Sequence, residues 1–268
     1  MQVNIRSQLK PKLVMNFVCF FISTVVLSNE IVTEGLVSYY TFDQADVDGK
    51  KLKDVFGDKH GTIVGVPKPV LGHLGDAMEF GGSPDCIELP QILKIGTNPV
   101  TYEAWFKKKN KVGWQYLISN KIDFADNFFR LGFNKDTGQI RMYTEQDDNI
   151  KKAFTSDDGY ADDKWHHVVA TRQADQAKIY VDGVLVKEGI AMKGDIGGDK
   201  SNWFLGQNGT NNASEYFIGT LDEVRIYSRA LPLKEIQQNF KSEGLAVYSS
   251  GKVSLTWATV KIYTQTTE

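Results

Sequence analysis

Lys178-Ile179-Tyr180-Val181-Asp182-Gly183-Val184-Leu185-Val186 is the stretch that decides the fold. Two runs rich in β-branched and aromatic residues are parted by Asp-Gly, the pair that tolerates positive φ at both centres of a tight hairpin turn. The runs therefore read as antiparallel strands. Moving outward, the same period of two recurs at Leu36–Phe42, Ala77–Phe80, Cys86–Leu89, Val100–Phe106, Tyr116–Ser119 and Phe128–Phe133. It continues at Gln139–Tyr143, Trp165–Thr171 and Tyr216–Tyr227. Gly, Asp, Asn or Pro bound most of these runs. Asn134 to Gly138 makes a second, longer hairpin turn. One helix follows the last long strand. Pro232 suits a first helical position, and Leu233, Ile236, Gln237 and Phe240 follow near helical spacing. Many short strands with one late helix predict an all-β, two-sheet antiparallel jelly-roll sandwich with a short C-terminal helix.

The chain has 268 residues, 41% of them hydrophobic, which is enough for one sizeable core. With 31 basic and 33 acidic residues the net charge is −2, so no global field points to nucleic acid or an anionic membrane. Residues 1–28 read as a secretory signal peptide. Arg6, Lys10 and Lys12 precede the apolar run Leu13–Leu27, and Val26 and Ser28 suit a cleavage point before Asn29. The run is shorter than the ~20 residues a membrane anchor needs. Export would remove Cys19 and leave Cys86 alone, so the domain is expected to fold without an internal disulfide, with Cys86 a buried thiol. Residues 29–241 then form the jelly-roll domain. The tail 242–268 alternates again and reads as an extra hairpin or the stub of a link.

Several segments resemble the laminin-G-like family with a concanavalin-A-like jelly roll. The similar stretches, in order, are Gly35–Asp43, Asp54 with His60–Ile63, Ala77–Gly82, Tyr102–Phe106, Trp165–Val168 and Ile179–Gly183. The closing stretch, Phe217-Ile218-Gly219-Thr220-Leu221-Asp222-Glu223-Val224-Arg225-Ile226-Tyr227 followed by Arg229-Ala230-Leu231, is the most specific. The resemblance covers about residues 35 to 241. It implies an extracellular recognition domain, most often for carbohydrate. It also implies that one structural Ca²⁺ can hold an early strand to the last one. Asp222 matches the carboxylate position, with Asp43 and the Gly81 carbonyl as partners; Gly81 stands where the family usually has Asp. The other reading of Asp222 is a backbone hydrogen bond across the sheet.

Glycoside hydrolases share this fold, and their chemistry needs two carboxylates about 5–10 Å apart across the sugar. On a strand that means acids two or four apart on one face, and no strand here carries that pattern. No catalytic residue is assigned. His166 and His167 are adjacent on a strand and point to opposite faces, so they do not jointly chelate zinc. Asp46-Val47-Asp48-Gly49 lacks the bidentate acid an EF-hand loop requires. Sugars are bound by aromatic faces with fixed polar groups beside them. Trp105 and Trp165 read as core residues. Trp114 and Trp203 flank Gly- and Asn-rich loops and are expected to be exposed. Asn202, Gln207, Asn208 and Asn211 crowd around Trp203, so these six residues form the candidate ligand site. Asn208-Gly209-Thr210 also fits a glycosylation acceptor. Lys107-Lys108-Lys109-Asn110-Lys111 keeps a strand end solvated or attracts acidic glycans. The expected function is a secreted, non-catalytic binding module for a polysaccharide or glycoconjugate. The alternatives are an extracellular protein-binding or adhesion module, and a degenerate or unrecognised glycoside hydrolase.

Overall fold

The computed structural model describes residues 30–93, 96–121, 128–146, 150–194, 202–209, 215–242 and 244. The expected signal peptide, Asn211 and nearly all of the tail lie outside these residues. In chain order the strands are β1 (Leu36–Tyr40), β2 (Val47–Asp48), β3 (Lys51–Leu52), β4 (Gly61–Val64), β5 (Lys68–Leu71) and β6 (Asp76–Gly81). Next come β7 (Cys86–Leu89), β8 (Val100–Lys107), β9 (Gln115–Lys121), β10 (Phe128–Phe133), β11 (Gln139–Gln146) and β12 (Ile150–Gly159). β13 (Trp165–Gln173), β14 (Gln176–Val181), β15 (Val184–Ile190), β16 (Asn202–Leu205) and β17 (Ile218–Tyr227) complete the set, before helix α1 (Leu233–Phe240). Pro232 is the residue before the helix, at φ −71°, rather than its first turn.

The strands form two antiparallel sheets. Sheet A runs β15-β14-β13-β8-β17-β6-β5, with β1 also paired to β17; sheet B runs β12-β11-β10-β9-β16-β7-β4-β3-β2. The hairpin that opened the sequence argument joins β14 to β15, with Asp182 at φ 51° and Gly183 at φ 74°, as a type I′ turn requires. The inner faces follow the alternation. Tyr102, Ala104 and Phe106 of β8 meet Phe129, Leu131 and Phe133 of β10 in one continuous core. Tyr102 stacks on Phe129 at 4.0 Å between ring centres. Each fully buried side chain of this kind stabilises the fold by about 1.5–3 kcal/mol. Cys86 is buried, and burial pushes its thiol up to about 12, which leaves it an unreactive hydrophobe.

A second, smaller core lies on the outside of sheet A. There Ile236 of α1 packs with Ile31, Val32, Tyr39, Val169 and Tyr227. Beneath the helix sits a buried polar network. Glu103 Oε1 accepts from Arg225 Nη1 at 2.6 Å and from His167 Nε2 at 3.0 Å, while its Oε2 accepts from Asn239 Nδ2 of the helix at 2.7 Å. Arg225 also pairs with Glu223, and the Tyr39 hydroxyl donates to Glu223. A bulge in β17 between Asp222 and Arg225 makes this possible, with Glu223 at φ 53°. Such a conformation costs on the order of 1–3 kcal/mol and persists because the ion pairs over-determine it. Asn239 Oδ1 accepts the Val32 N–H at 2.8 Å, so the helix clasps the chain that leads into β1.

Candidate functional site

Helix α1 covers only part of the outer face of sheet A. Under it, the buried Trp105 indole stacks with His73 at 3.4 Å and with Phe240 at 5.6 Å between ring centres. Two residues along each strand the face is open. Here the register aligns Lys68 with Glu79, Glu79 with Thr220, Thr220 with Lys107, and Lys107 with Trp165. Residues directly opposite on neighbouring strands project to the same side. One row of side chains therefore crosses five adjacent strands, β5-β6-β17-β8-β13, spanning roughly 19 Å at the usual strand spacing. It lines a cavity of about 780 Å³, which is also walled by Lys109, Asn110 and Asp163. That volume lies within the usual range for small-ligand sites, about 300–1,000 Å³.

The charges in this cavity alternate. Lys107 lies 4.0 Å from Asp163, and Glu79 stands opposite Lys68. Asp85 is held in the wall, its Oδ1 accepting the Val66 N–H and its Oδ2 the Gly81 N–H. The half-buried Trp165 closes one end of the row. Lys108, between the half-buried Lys107 and the exposed Lys109, turns inward and anchors the wall. Its ammonium donates to Gln115 Oε1, to Asn110 Oδ1 at 2.6 Å and to the Ile218 carbonyl at 3.2 Å, above the rings of Phe133 and Phe217. Burial pushes its pKa down to about 7. Fixed donors and fixed acceptors beside an indole suit a ligand whose groups both donate and accept.

The structure corrects several expectations about the site. Trp203 is not exposed: it is fully buried, in the middle of sheet B between Leu89 and Asn120. Its ring packs 5.7 Å from Tyr102, so it offers no face to a ligand. Gln207 and Asn208 are buried at 1% and 2% exposure, which also removes Asn208 as an accessible glycosylation acceptor. Gln207 Nε2 points at Cys86 Sγ, 3.2 Å away. Asn202 alone of that group is exposed, and Asn211 lies outside the described residues. Trp114 is half-buried under Arg141, on the outer face of the other sheet. Trp165, expected in the core, lines the cavity with its half-buried indole. The alternation of charge along the row was not visible because it depends on which strands become neighbours.

The expected calcium ligands divide. Asp222 Oδ2 accepts the N–H groups of His73 and Leu74, at 2.8 and 3.0 Å. Asp43 Oδ1 accepts the Asp76 N–H at 2.8 Å. Both carboxylates thus close on one turn, Gly72–Gly75. A Cβ on Gly75 (φ 55°) would lie 2.2 Å from Asp43 Oδ1, so only glycine fits. Asp222 Oδ1 is buried and has no hydrogen-bond partner. Burial, with the neighbouring Glu223 charge, pushes the Asp222 carboxyl up to about 8. An orphaned carboxylate oxygen of this kind fits a cation. Gly81 does not join them: it pairs with Ile218, at the far end of β6 from that turn.

The chain belongs to the Concanavalin A-like lectin/glucanases superfamily, whose laminin G model matches residues 81–237. Domain 4 of AbnA, a GH43 extracellular arabinanase from Geobacillus stearothermophilus solved in complex with arabinotriose, has a similar structure. Its TM-score is 0.62 at 20% identity over 76% of this chain and 97% of that one. The binding domain of botulinum neurotoxin DC in complex with SialylT has a TM-score of 0.61 at 14% identity, over 78% of this chain and 52% of that one. Trypanosoma rangeli sialidase in complex with sialic acid has a TM-score of 0.59 at 20% identity, over 78% of this chain and 33% of that one. At these identities the likeness is one of fold. No curated protein sequence matches the chain. Among the described residues no helix is long and apolar enough to cross a membrane.

Proposed function

We propose that this protein is a secreted, non-catalytic carbohydrate-binding module whose saccharide lies along the open row of sheet A. The row Lys68–Glu79–Thr220–Lys107–Trp165 carries the reading. A sugar hydroxyl both donates and accepts, so alternating ammonium and carboxylate groups can serve successive hydroxyls. Trp165 supplies an apolar edge for a sugar ring. The three similar structures named above were all solved with saccharides bound, which supports the class of ligand. Export rests on the N-terminal sequence. Two of the cavity's three acids are engaged, Asp163 with Lys107 and Asp85 with backbone N–H groups, which leaves Glu79 without a second free carboxylate beside it and supports a non-catalytic reading. We extend the proposal to one structural Ca²⁺ held by Asp222 and Asp43 at the Gly72–Gly75 turn, where it would neutralise the buried carboxyl.

A glycan array probed with the exported domain tests this reading. Saturable binding to a neutral or mixed saccharide, weakened when Trp165 becomes Ala while the fold is retained, is the expected result. Well-folded protein that binds no saccharide, or binds it equally well without the Trp165 ring, would overturn it. A protein-binding role is the second reading, because Val66 and Leu71 stand 82% and 85% exposed beside the open edge strand β5.

A further inference from the structure

The two sheets meet differently at their two edges. At one edge β12 packs on β15, so closely that a Cβ on Gly189 of β15 would fall 2.4 Å from the Phe154 ring of β12. That side is sealed. At the other, β2 ends sheet B and β5 ends sheet A, and a cavity of about 460 Å³ opens between them. Its lining reaches the main core, since the buried side chains of Phe42, Ile63 and Met78 belong to both. At the ~30 Å³ that a water-sized group takes in a liquid, the cavity holds at most about 15 such groups.

The residues make this wall apolar down to the backbone. The chain turns at Phe42 with φ 61°, a rare conformation for a bulky residue, and the ring packs edge-on to Phe80 with 6.4 Å between centres. Pro67 and Pro69, at the start of β5, have no N–H to offer. The Val66 N–H is already given to Asp85 Oδ1 at 2.8 Å. A hydrocarbon therefore covers residues 66, 67 and 69 without stranding a backbone donor. Val66 itself stands exposed in the lining and gains most from being covered.

One charged residue lines the cavity. Lys50 is exposed in the turn between β2 and β3, which is tied to β4 because its carbonyl accepts the Ile63 N–H at 2.7 Å. The acids of the same loop, Asp46 and Asp48, line a separate opening. A deep apolar lining with a single cation at its exposed side complements an alkyl chain that ends in one anion.

We propose that the mouth between β2 and β5 binds a medium-chain alkyl carboxylate, its chain against Phe42, Met78, Pro67 and Pro69 and its carboxylate beside Lys50.

Microcalorimetry on the full chain at neutral pH tests it with octanoate, butanoate and octanol. Octanoate should bind tighter than butanoate by at least about tenfold, since every two methylenes that leave water are worth about that factor. Lys50→Glu, at an exposed position, should weaken octanoate by about threefold or more and leave octanol unchanged. Val66→Asp should weaken both, and Trp165→Ala neither, which separates this site from the cavity on sheet A. The proposal is overturned if octanoate does not bind, if butanoate binds as tightly, or if folded Lys50→Glu or Val66→Asp binds octanoate as the wild type does. It falls too if octanol loses as much as octanoate in Lys50→Glu, because the ammonium would then not be reading the carboxylate. Uptake by the apolar run Leu13–Leu27 would ignore both substitutions and would overturn it equally.

Discussion

Replacing Glu103 by Gln, the exchange of one carboxylate oxygen for an amide nitrogen, should lower stability sharply. The carboxylate is 1% exposed and takes hydrogen bonds from Arg225, His167 and Asn239. Burial alone would raise its pKa, but Arg225 and His167 together with those hydrogen bonds hold it down at about 2. From an ordinary 4.5, that depression corresponds to about 3 kcal/mol favouring the charged form. Gln removes the charge, leaves Arg225 with Glu223 alone, and turns an amide N–H₂ toward groups that donate. Breaking one side of a buried pair costs roughly 3–5 kcal/mol by the same logic. At ~2–4 °C per kcal/mol for a domain of this size, Tm should fall by roughly 6–20 °C at pH 7. A depressed carboxylate stabilises above its unfolded pKa and loses that contribution as pH falls through the folded one. The gap between the two proteins should therefore be full at pH 6 and should narrow from about pH 4.5 toward pH 2. Calorimetry across that range checks both parts. A Tm drop of less than ~2 °C at pH 7, or a gap independent of pH, would refute the reasoning.

Trp203→Ala should cost about 3–5 kcal/mol by leaving a cavity in sheet B, while folded protein retains saccharide affinity; chemical denaturation and binding of the same sample read the two effects. Lys108→Met should flatten the pH dependence above neutrality. With its folded pKa pulled to about 7 against 10.5 in the unfolded chain, wild-type stability should rise between those values as the unfolded state binds the extra proton, and the variant should lack that rise. Millimolar Ca²⁺ should raise the Tm of the wild type, by about 3 kcal/mol equivalent if it reaches a hundred times its Kd, and leave Asp222→Asn unmoved.

The fold was largely legible because its signals are local. Asp182-Gly183 can make only a tight turn between two apolar runs, and Cys86–Leu89 appears as a strand with the bounds its alternation marked. The short strands β2, β3 and β5 and the polar β12 were missed, since few large apolar residues mark them. The site was less legible for two reasons. Trp203 was read from the Asn residues around it, when the apolar run Trp203-Phe204-Leu205 was the better signal of a central buried strand. Trp165 was assigned to the core from its place in a familiar segment, although the strand end it occupies lies just beyond the reach of α1.

The Val32–Asn239 clasp also has a mechanical meaning. Together with the bond from Gln238 Nε2 to the Glu30 carbonyl at 3.0 Å, it brings residues 30–32 beside residues 238–239 of the helix. Tension applied through those two points bears first on a few hydrogen bonds at one corner and leaves the strand ladders unloaded until the corner peels. Attached to a longer chain at that corner, the domain would hang as a pendant with sheet B turned away from its tether.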